Sequence, residues 1–516
     1  MLRRGPVDFR HALCALCAVV VSAIAASTAA AALDPVVEAK NYSKTLERQR
    51  IYDAPDYQAK LRVVSAQNTA NALAIQAADP ERGFLTDLCW NQSDGCAGDI
   101  RLNDWQSKGY GIVRPVLFTA RNGATLSGHV WATKAGPAKR PGIVITNGSV
   151  QADEQMYWYV AQALAKAGYV VLTWDPQGQG RSDTRGEAPD ENEGFPAQTD
   201  GRPFFDGTED ALNFFLSTPE HPYVPESSCS TGTSHAAKHS RRVAAGLNAA
   251  YNPFWQQLDG HVGLAGHSYG AAGVSYIGQW DPRVDAIVAW DNLSQPSPGT
   301  NDGGFPPGEA DCPAHPEDRT PGTGNKPALG MSADYFLPPT PNTTEPRSPS
   351  ECAAVADRYE QGQPPARDEA TDCKALASLV YSKRGIDTGE LVIRGGSHLD
   401  FSFIPNQAFG ATLRGADLVS WYTTAWFDKY VKGDPSADRR LLTDRWRHDA
   451  LEGEVDPDGD ANMFSFYHRS RLDFTRSDGT KVDCEDLRAG CAALSSDDGY
   501  PGDYAYATID RSPDRG

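Results

Sequence analysis

Eight short apolar runs, separated by helical patterns over one long stretch of chain, constrain the fold more than any other feature. They read "RPVLFTA" (114–120), "TLSGHVWAT" (125–133), "PGIVITNG" (141–148), "YVVLTWD" (169–175), "VGLAG" (262–266), "VDAIVAW" (284–290), "PALGMSA" (327–333) and "ELVIRGG" (390–396). The third and fourth are continuously apolar, as expected of strands buried on both faces. Between them "EQMYWYVAQALAKAG" has helical periodicity and stops at Gly168. "GTEDALNFFLSTP", "AAGVSYIGQW" and "DLVSWYTTAWFDKYVKGD" are further helical patterns. Strand and helix in alternation predict an α/β architecture: a mostly parallel central sheet of about eight strands with helices on both faces.

That core is expected to span 109–435, after a polar, helical N-terminal segment at 33–108 packed on it. Long insertions are expected at about 218–258, 293–326 and 337–367, the last two rich in Pro and Gly. From 436 to 516 the chain reads as an acidic C-terminal extension, with a hairpin around "SRLDFTRSDGTKVDC". Residues 1–32 carry Arg3, Arg4 and Arg10, then the apolar run "ALCALCAVVVSAIAA" and small residues, the pattern of a secretory signal peptide. The run is short for a membrane span, so a secreted or cell-envelope protein without stable membrane insertion is expected. With a formal net charge of -19 and no Lys/Arg cluster, a nucleic-acid partner is not expected.

Eight cysteines follow the signal segment, an even set that reads as disulfides in an exported chain. "CWNQSDGC" and "CEDLRAGC" predict Cys89–Cys96 and Cys484–Cys491; Cys229, Cys312, Cys352 and Cys373 leave three pairings open. No C-x2-C pair or paired histidines complete a zinc set. "DPDGD" at 456–460 lacks the glycine a calcium loop places next and reads as a solvated turn. No metal or organic cofactor is expected.

Chemistry concentrates at "HVGLAGHSYGAAG" (261–273), where a strand pattern gives way to a helix pattern around Gly266-His267-Ser268-Tyr269-Gly270. A sharp turn there lifts a serine hydroxyl off the sheet edge and sets its backbone near a helix N-terminus, which favours developing negative charge. Ser268 is the expected nucleophile, and His267 is expected to point away from its face. His398, after the last strand in "LVIRGGSHLDFS", is the expected base. The orienting acid is expected between them: Asp334, after the penultimate strand, is preferred, with Asp291 the alternative acid. Asp400, two residues past His398, is expected to bond locally. The backbone N–H groups of Tyr269 and Ser149, with Val150 as neighbour, are the expected oxyanion donors. "YWY" at 157–159 reads mostly as core, with one ring a candidate to line the pocket.

With "ITNGS", "DPQGQGRSD", "GHSYG", "SADYF" and "GGSH" in this order, residues 110–435 resemble an α/β-hydrolase of the secreted esterase, lipase and dienelactone-hydrolase-like kind. The resemblance implies a serine hydrolase with Ser268, Asp334 and His398 as nucleophile, acid and base. The expected activity is cleavage of carboxylic esters through an acyl-enzyme, on a small-molecule, lipid or polyester substrate. The alternatives are a prolyl-peptidase-like serine peptidase and a non-catalytic binding protein on the same fold.

Overall fold

The structure is a computed structural model that describes residues 55–495 apart from internal stretches, the longest being 83–97, 192–201, 295–325, 404–412 and 444–463. The signal segment, Cys89, Cys96, Val150, Cys229, Cys312 and the 456–460 turn lie outside the described residues.

The chain begins with helix α1 (Pro55–Ala78) and the strands β1 (Ile112–Thr119), β2 (Thr125–Ala132) and β3 (Arg140–Thr146). Helix α2 (Trp158–Lys166), β4 (Val170–Asp175), α3 (Arg202–Phe215) and α4 (Ala236–Ala244) follow. Then come β5 (Leu258–His267), α5 (Tyr269–Trp280), β6 (Val284–Trp290), β7 (Ala328–Leu337) and the two-residue β8 (Thr340–Pro341). Helices α6 (Pro349–Glu360) and α7 (Leu376–Lys383) lead to β9 (Thr388–Ser397), α8 (Leu413–Tyr430) and α9 (Ala437–Leu441). The hairpin β10 (Arg471–Thr475) and β11 (Lys481–Cys484) ends the described chain.

One sheet results, in the order β1-β2-β4-β3-β5-β6-β7-β9-β10-β11, with β8 paired onto β7. The strands from β4 through β9 in that order are mutually parallel, and both flanks are antiparallel. All eight strands expected from the apolar runs are present. The α/β class follows from the sequence as read.

Period-two alternation explains why the central runs are apolar throughout. Ile143 and Ile145 of β3 face one layer, with α2 and the tryptophans Trp421 and Trp426 of α8. Val144 faces the other, with Leu212 and Phe215 of α3 and Val274 and Ile277 of α5. Each face of the sheet is thereby covered by helix, the arrangement a parallel sheet requires.

Two expectations need amending. The sheet is larger than the eight strands expected, because the hairpin of the C-terminal extension joins it: β10 pairs with β9 in the register Leu472↔Gly389 and β11 pairs with β10. The stretch 337–367, read as an irregular Pro/Gly-rich insertion, contains α6. That helix starts at a capping box in which Ser348 and Glu351 bond each other's backbone N–H, with Pro349 in the first turn. The signal, Ser-Pro-Ser-Glu, is legible locally, among prolines.

Cys352 on α6 bonds Cys373, just before α7, with Cα atoms 5.5 Å apart. Cys484 and Cys491 are paired as expected, with Cα atoms 5.7 Å apart. Closing the loop between Cys352 and Cys373 contributes about 3 kcal/mol by chain entropy. At the other end of the chain, buried ion pairs anchor α1: Arg242 of α4 holds Asp79, and Arg82 Nε lies 3.0 Å from Asp183 Oδ1. Among the described residues no helix is long and apolar enough to cross a membrane.

Candidate active site

Strands β5, β6 and β9 end at the same rim of the sheet, and the candidate residues sit on the turns that follow. Ser268 stands between β5 and α5 with φ 56° and ψ -120°, a conformation that side chains other than glycine rarely adopt. Its N–H donates to the carbonyl of Trp290 at the end of β6 (2.9 Å), which locks the turn to the neighbouring strand. The turn tolerates no bulk. A Cβ on Gly266 would lie 2.3 Å from the carbonyl oxygen of Gly270, and one on Gly270 would lie 2.3 Å from that of Asn147. The glycines of the motif are therefore dictated by close approach of backbone to backbone.

His398 begins a short 3-10 turn directly after β9. Its Nδ1 lies 2.7 Å from Oδ2 of Asp291, and both side chains are largely shielded, at 13% and 7% exposure. Of the two candidate acids, the structure pairs the alternative, Asp291, with His398, and not the preferred Asp334. Asp291 follows β6 with φ 39° and donates its own N–H to Met331 of β7 (2.7 Å). Asp334 is engaged elsewhere: its Oδ2 accepts from Gly395 N at 2.8 Å. There the β7–β9 register shifts, with Ala333 opposite Ile393 but Tyr335 opposite Ser397, and the Asp334 carboxylate occupies the bulge. Both aspartates follow an apolar strand, so no local pattern in the sequence separates them. Asp400 bonds locally as expected, its Oδ2 accepting from Ser397 N (2.6 Å).

Burial pushes the Asp291 carboxyl up, but Lys374, then His398 and His267, outweigh it and leave it below the ordinary carboxylate range. An ionised Asp291 accepts the Nδ1–H of His398, which leaves Nε2 as the basic nitrogen. Ser268 Oγ and His398 Nε2 make no hydrogen bond to each other in this structure. Such bonds are commonly long without substrate and tighten in the complex.

The opposite wall is the loop after β3. A Cβ on Gly148 would fall 3.1 Å from Ser268 Cβ, so this loop abuts the serine. Gly148 N donates to the Tyr157 hydroxyl (3.0 Å) and its carbonyl accepts from Gln179 Nε2. Asp175 accepts from Asn147 Nδ2 (3.0 Å), Glu154 N (2.8 Å) and Arg181 N (2.9 Å). The "DPQGQGRSD" turn is therefore the brace of the "ITNGS" loop. With Gly148 N committed to Tyr157, Ser149 is the next residue of the loop with an N–H, and Tyr269 N opens α5.

His267 and Tyr157 join these walls. His267 Nε2 lies 2.9 Å from the carbonyl of His398, and Nδ1 lies 2.7 Å from the Tyr157 hydroxyl. A carbonyl only accepts, so Nε2 carries the proton and Nδ1 accepts from Tyr157, whose oxygen accepts from Gly148. Burial, and then His398, hold His267 well below the usual imidazole range, which keeps it in this neutral form. His267 thus reaches the backbone of His398, and the two rings lie 4.5 Å apart, centre to centre. Tyr157, read as core, is buried and stacked on Trp290, with centroids 6.3 Å apart, yet its hydroxyl is part of the site's framework. Phe336, 53% exposed, stacks on the His398 ring at 4.8 Å.

Beneath the site, Glu390 of β9 accepts from Ser332 Oγ (2.6 Å) and is fully buried. Burial, then Asp291, push its carboxyl from 4.5 up to about 8, against the opposing bond from Ser332. A raised folded-state value means the folded protein holds a proton that the unfolded chain releases. The stability this contributes is complete below the ordinary value and is lost as pH rises towards 8. Glu390→Gln is expected to flatten the fall in denaturation midpoint between about pH 5 and 8, where one such group changes stability by about 1.4 kcal/mol per pH unit. Midpoints of both proteins across that range check it.

No protein-family model matches the chain, and no curated protein is similar enough to match it. The site is therefore read from its own geometry: a serine on a strained strand-to-helix turn, and a histidine paired with an aspartate, at one rim of a parallel sheet.

Proposed function

We propose that the protein is an exported serine hydrolase of the α/β-hydrolase kind that cleaves carboxylic esters through an acyl-enzyme. The observation that carries this reading is the 2.7 Å pairing of His398 Nδ1 with Asp291 at the strand ends that also present Ser268. A serine hydroxyl needs a base, an orienter for the base and donors for the oxyanion. His398 Nε2 would take the Ser268 proton as Oγ attacks the ester carbonyl, while Asp291 holds the imidazole in the required tautomer. The developing oxyanion would be met by Tyr269 N and Ser149 N. The imidazolium would then protonate the leaving alcohol, and water would release the acid by the same steps in reverse.

Export is supported by the signal-like N-terminus and by the two cysteine pairs, which suit an oxidising compartment. The substrate is proposed as a small-molecule, lipid or polyester ester. A panel of p-nitrophenyl esters of graded chain length, assayed beside aminoacyl-nitroanilides, tests the reaction class. Ester turnover without anilide cleavage is expected. Anilide cleavage alone would replace this reading with a peptidase, and no turnover of either would favour a binding protein.

A further inference from the structure

A charged group that the proposed reaction does not use lies close behind Asp291. Lys374 follows the disulfide-bonded Cys373 and is only 9% exposed. Its Nζ donates to the carbonyl of Ala333 on β7. Carbonyls two residues apart on one strand face the same neighbour. The carbonyl two residues earlier, on Met331, receives the N–H of Asp291. The Lys374 ammonium therefore takes the place β6 would fill if it continued past Trp290, roughly 7 Å along the strand from the Asp291 amide.

The other titratable groups around Asp291 come from four parts of the chain. His398 is bonded to it, His267 lies at the end of β5, Glu390 is on β9, and His468 comes from the segment before β10. Burial holds His267 and His468 well below the usual imidazole range and pushes Glu390 up, so these three are neutral near pH 7. A buried carboxylate needs a compensating charge, because desolvation otherwise drives it to take up a proton.

We propose that Lys374 is a positioning residue of the site: its buried ammonium, tethered beside Cys352–Cys373, is the fixed countercharge that keeps Asp291 an anion aimed at His398 Nδ1. The assignment rests on the reading of Ser268, His398 and Asp291 as the reacting unit. It has a consequence for pH. A cation at this point also repels a proton on the His398–Asp291 pair, so its removal makes the pair hold its proton to higher pH.

The test combines Lys374→Met and Lys374→Arg. For Lys374→Met the acidic limb of the kcat/KM profile on a p-nitrophenyl ester is expected to move up by about one pH unit. Lys374→Arg is expected to leave the limb where it stands in the parent. A fall in kcat with the limb unmoved would show a structural role alone and overturn the proposal. A second comparison needs no activity. Lys374→Met is expected to lower the denaturation midpoint in the parent protein and to cost less than half as much in an Asp291→Asn background. Equal losses in both backgrounds would overturn the proposal. Should Lys374→Met alone fail to fold, recovery of folded protein by Asp291→Asn supports the countercharge, and failure of the double variant counts against it. Absence of ester turnover in the parent would remove the functional reading, and the stability cycle would still decide the role of Lys374.

Discussion

Ser268→Ala is expected to abolish ester turnover, with kcat falling by about 10⁴- to 10⁶-fold, while the protein folds as stably as the parent. The size of the loss follows from the role: without Oγ there is no acyl-enzyme, and the remaining donors supply only binding and polarisation. Stability is expected to hold for a structural reason. The turn is fixed by backbone bonds, from Ser268 N to Trp290 and from Ala272 N to the Ser268 carbonyl, and alanine keeps both. The positive φ at 268 is no harder for alanine than for serine. Steady-state kinetics and a denaturation midpoint on one preparation check both halves. Turnover surviving within tenfold of the parent would remove Ser268 from the chemistry.

The second large effect separates two aspartates. Asp291→Asn is expected to lower kcat about 10⁴-fold, because an amide can present its N–H to His398 Nδ1 and stabilise the wrong tautomer. Asp334→Asn is expected to cost less than about tenfold in kcat, since an asparagine oxygen can still accept from Gly395 N across the β9 bulge. Its penalty should appear instead in the denaturation midpoint. The reverse ranking in kcat would restore Asp334 as the acid and make the Asp291–His398 pairing incidental.

The contrast between these residues also shows what a single sequence carries. The strands were legible because burial on both faces imposes unbroken apolar runs, and the serine turn because close backbone approach imposes glycine at 266 and 270. His398 was legible from its place after the last of those runs. Which aspartate pairs with it was not, because telling Asp291 from Asp334 depends on where β7 and β9 slip register, a property of two strands far apart in the chain. Tyr157, His267 and Gln179 were missed as framework for a related reason. Tyr157 meets Gly148 nine residues back, but the Gln179–Gly148, Tyr157–His267 and His267–His398 contacts span 31 to 131 residues, while the local context reads as core or turn. Lys374 has no local signal either, and acquires meaning only where β6 stops short beside β7. Helix α6 differs, since its capping box was readable in place.

Whether Ser268, His398 and Asp291 act as one unit is read most directly by covalent labelling. A fluorophosphonate probe requires an activated serine but no particular ester. On the folded protein, intact mass and peptide mapping are expected to show one adduct, on the peptide containing Ser268. Labelling is expected to be lost on denaturation, in His398→Ala and in Asp291→Asn, and kept in Asp334→Asn. An unlabelled Ser268 in the folded protein, or labelling indifferent to His398 and Asp291, would contradict the account.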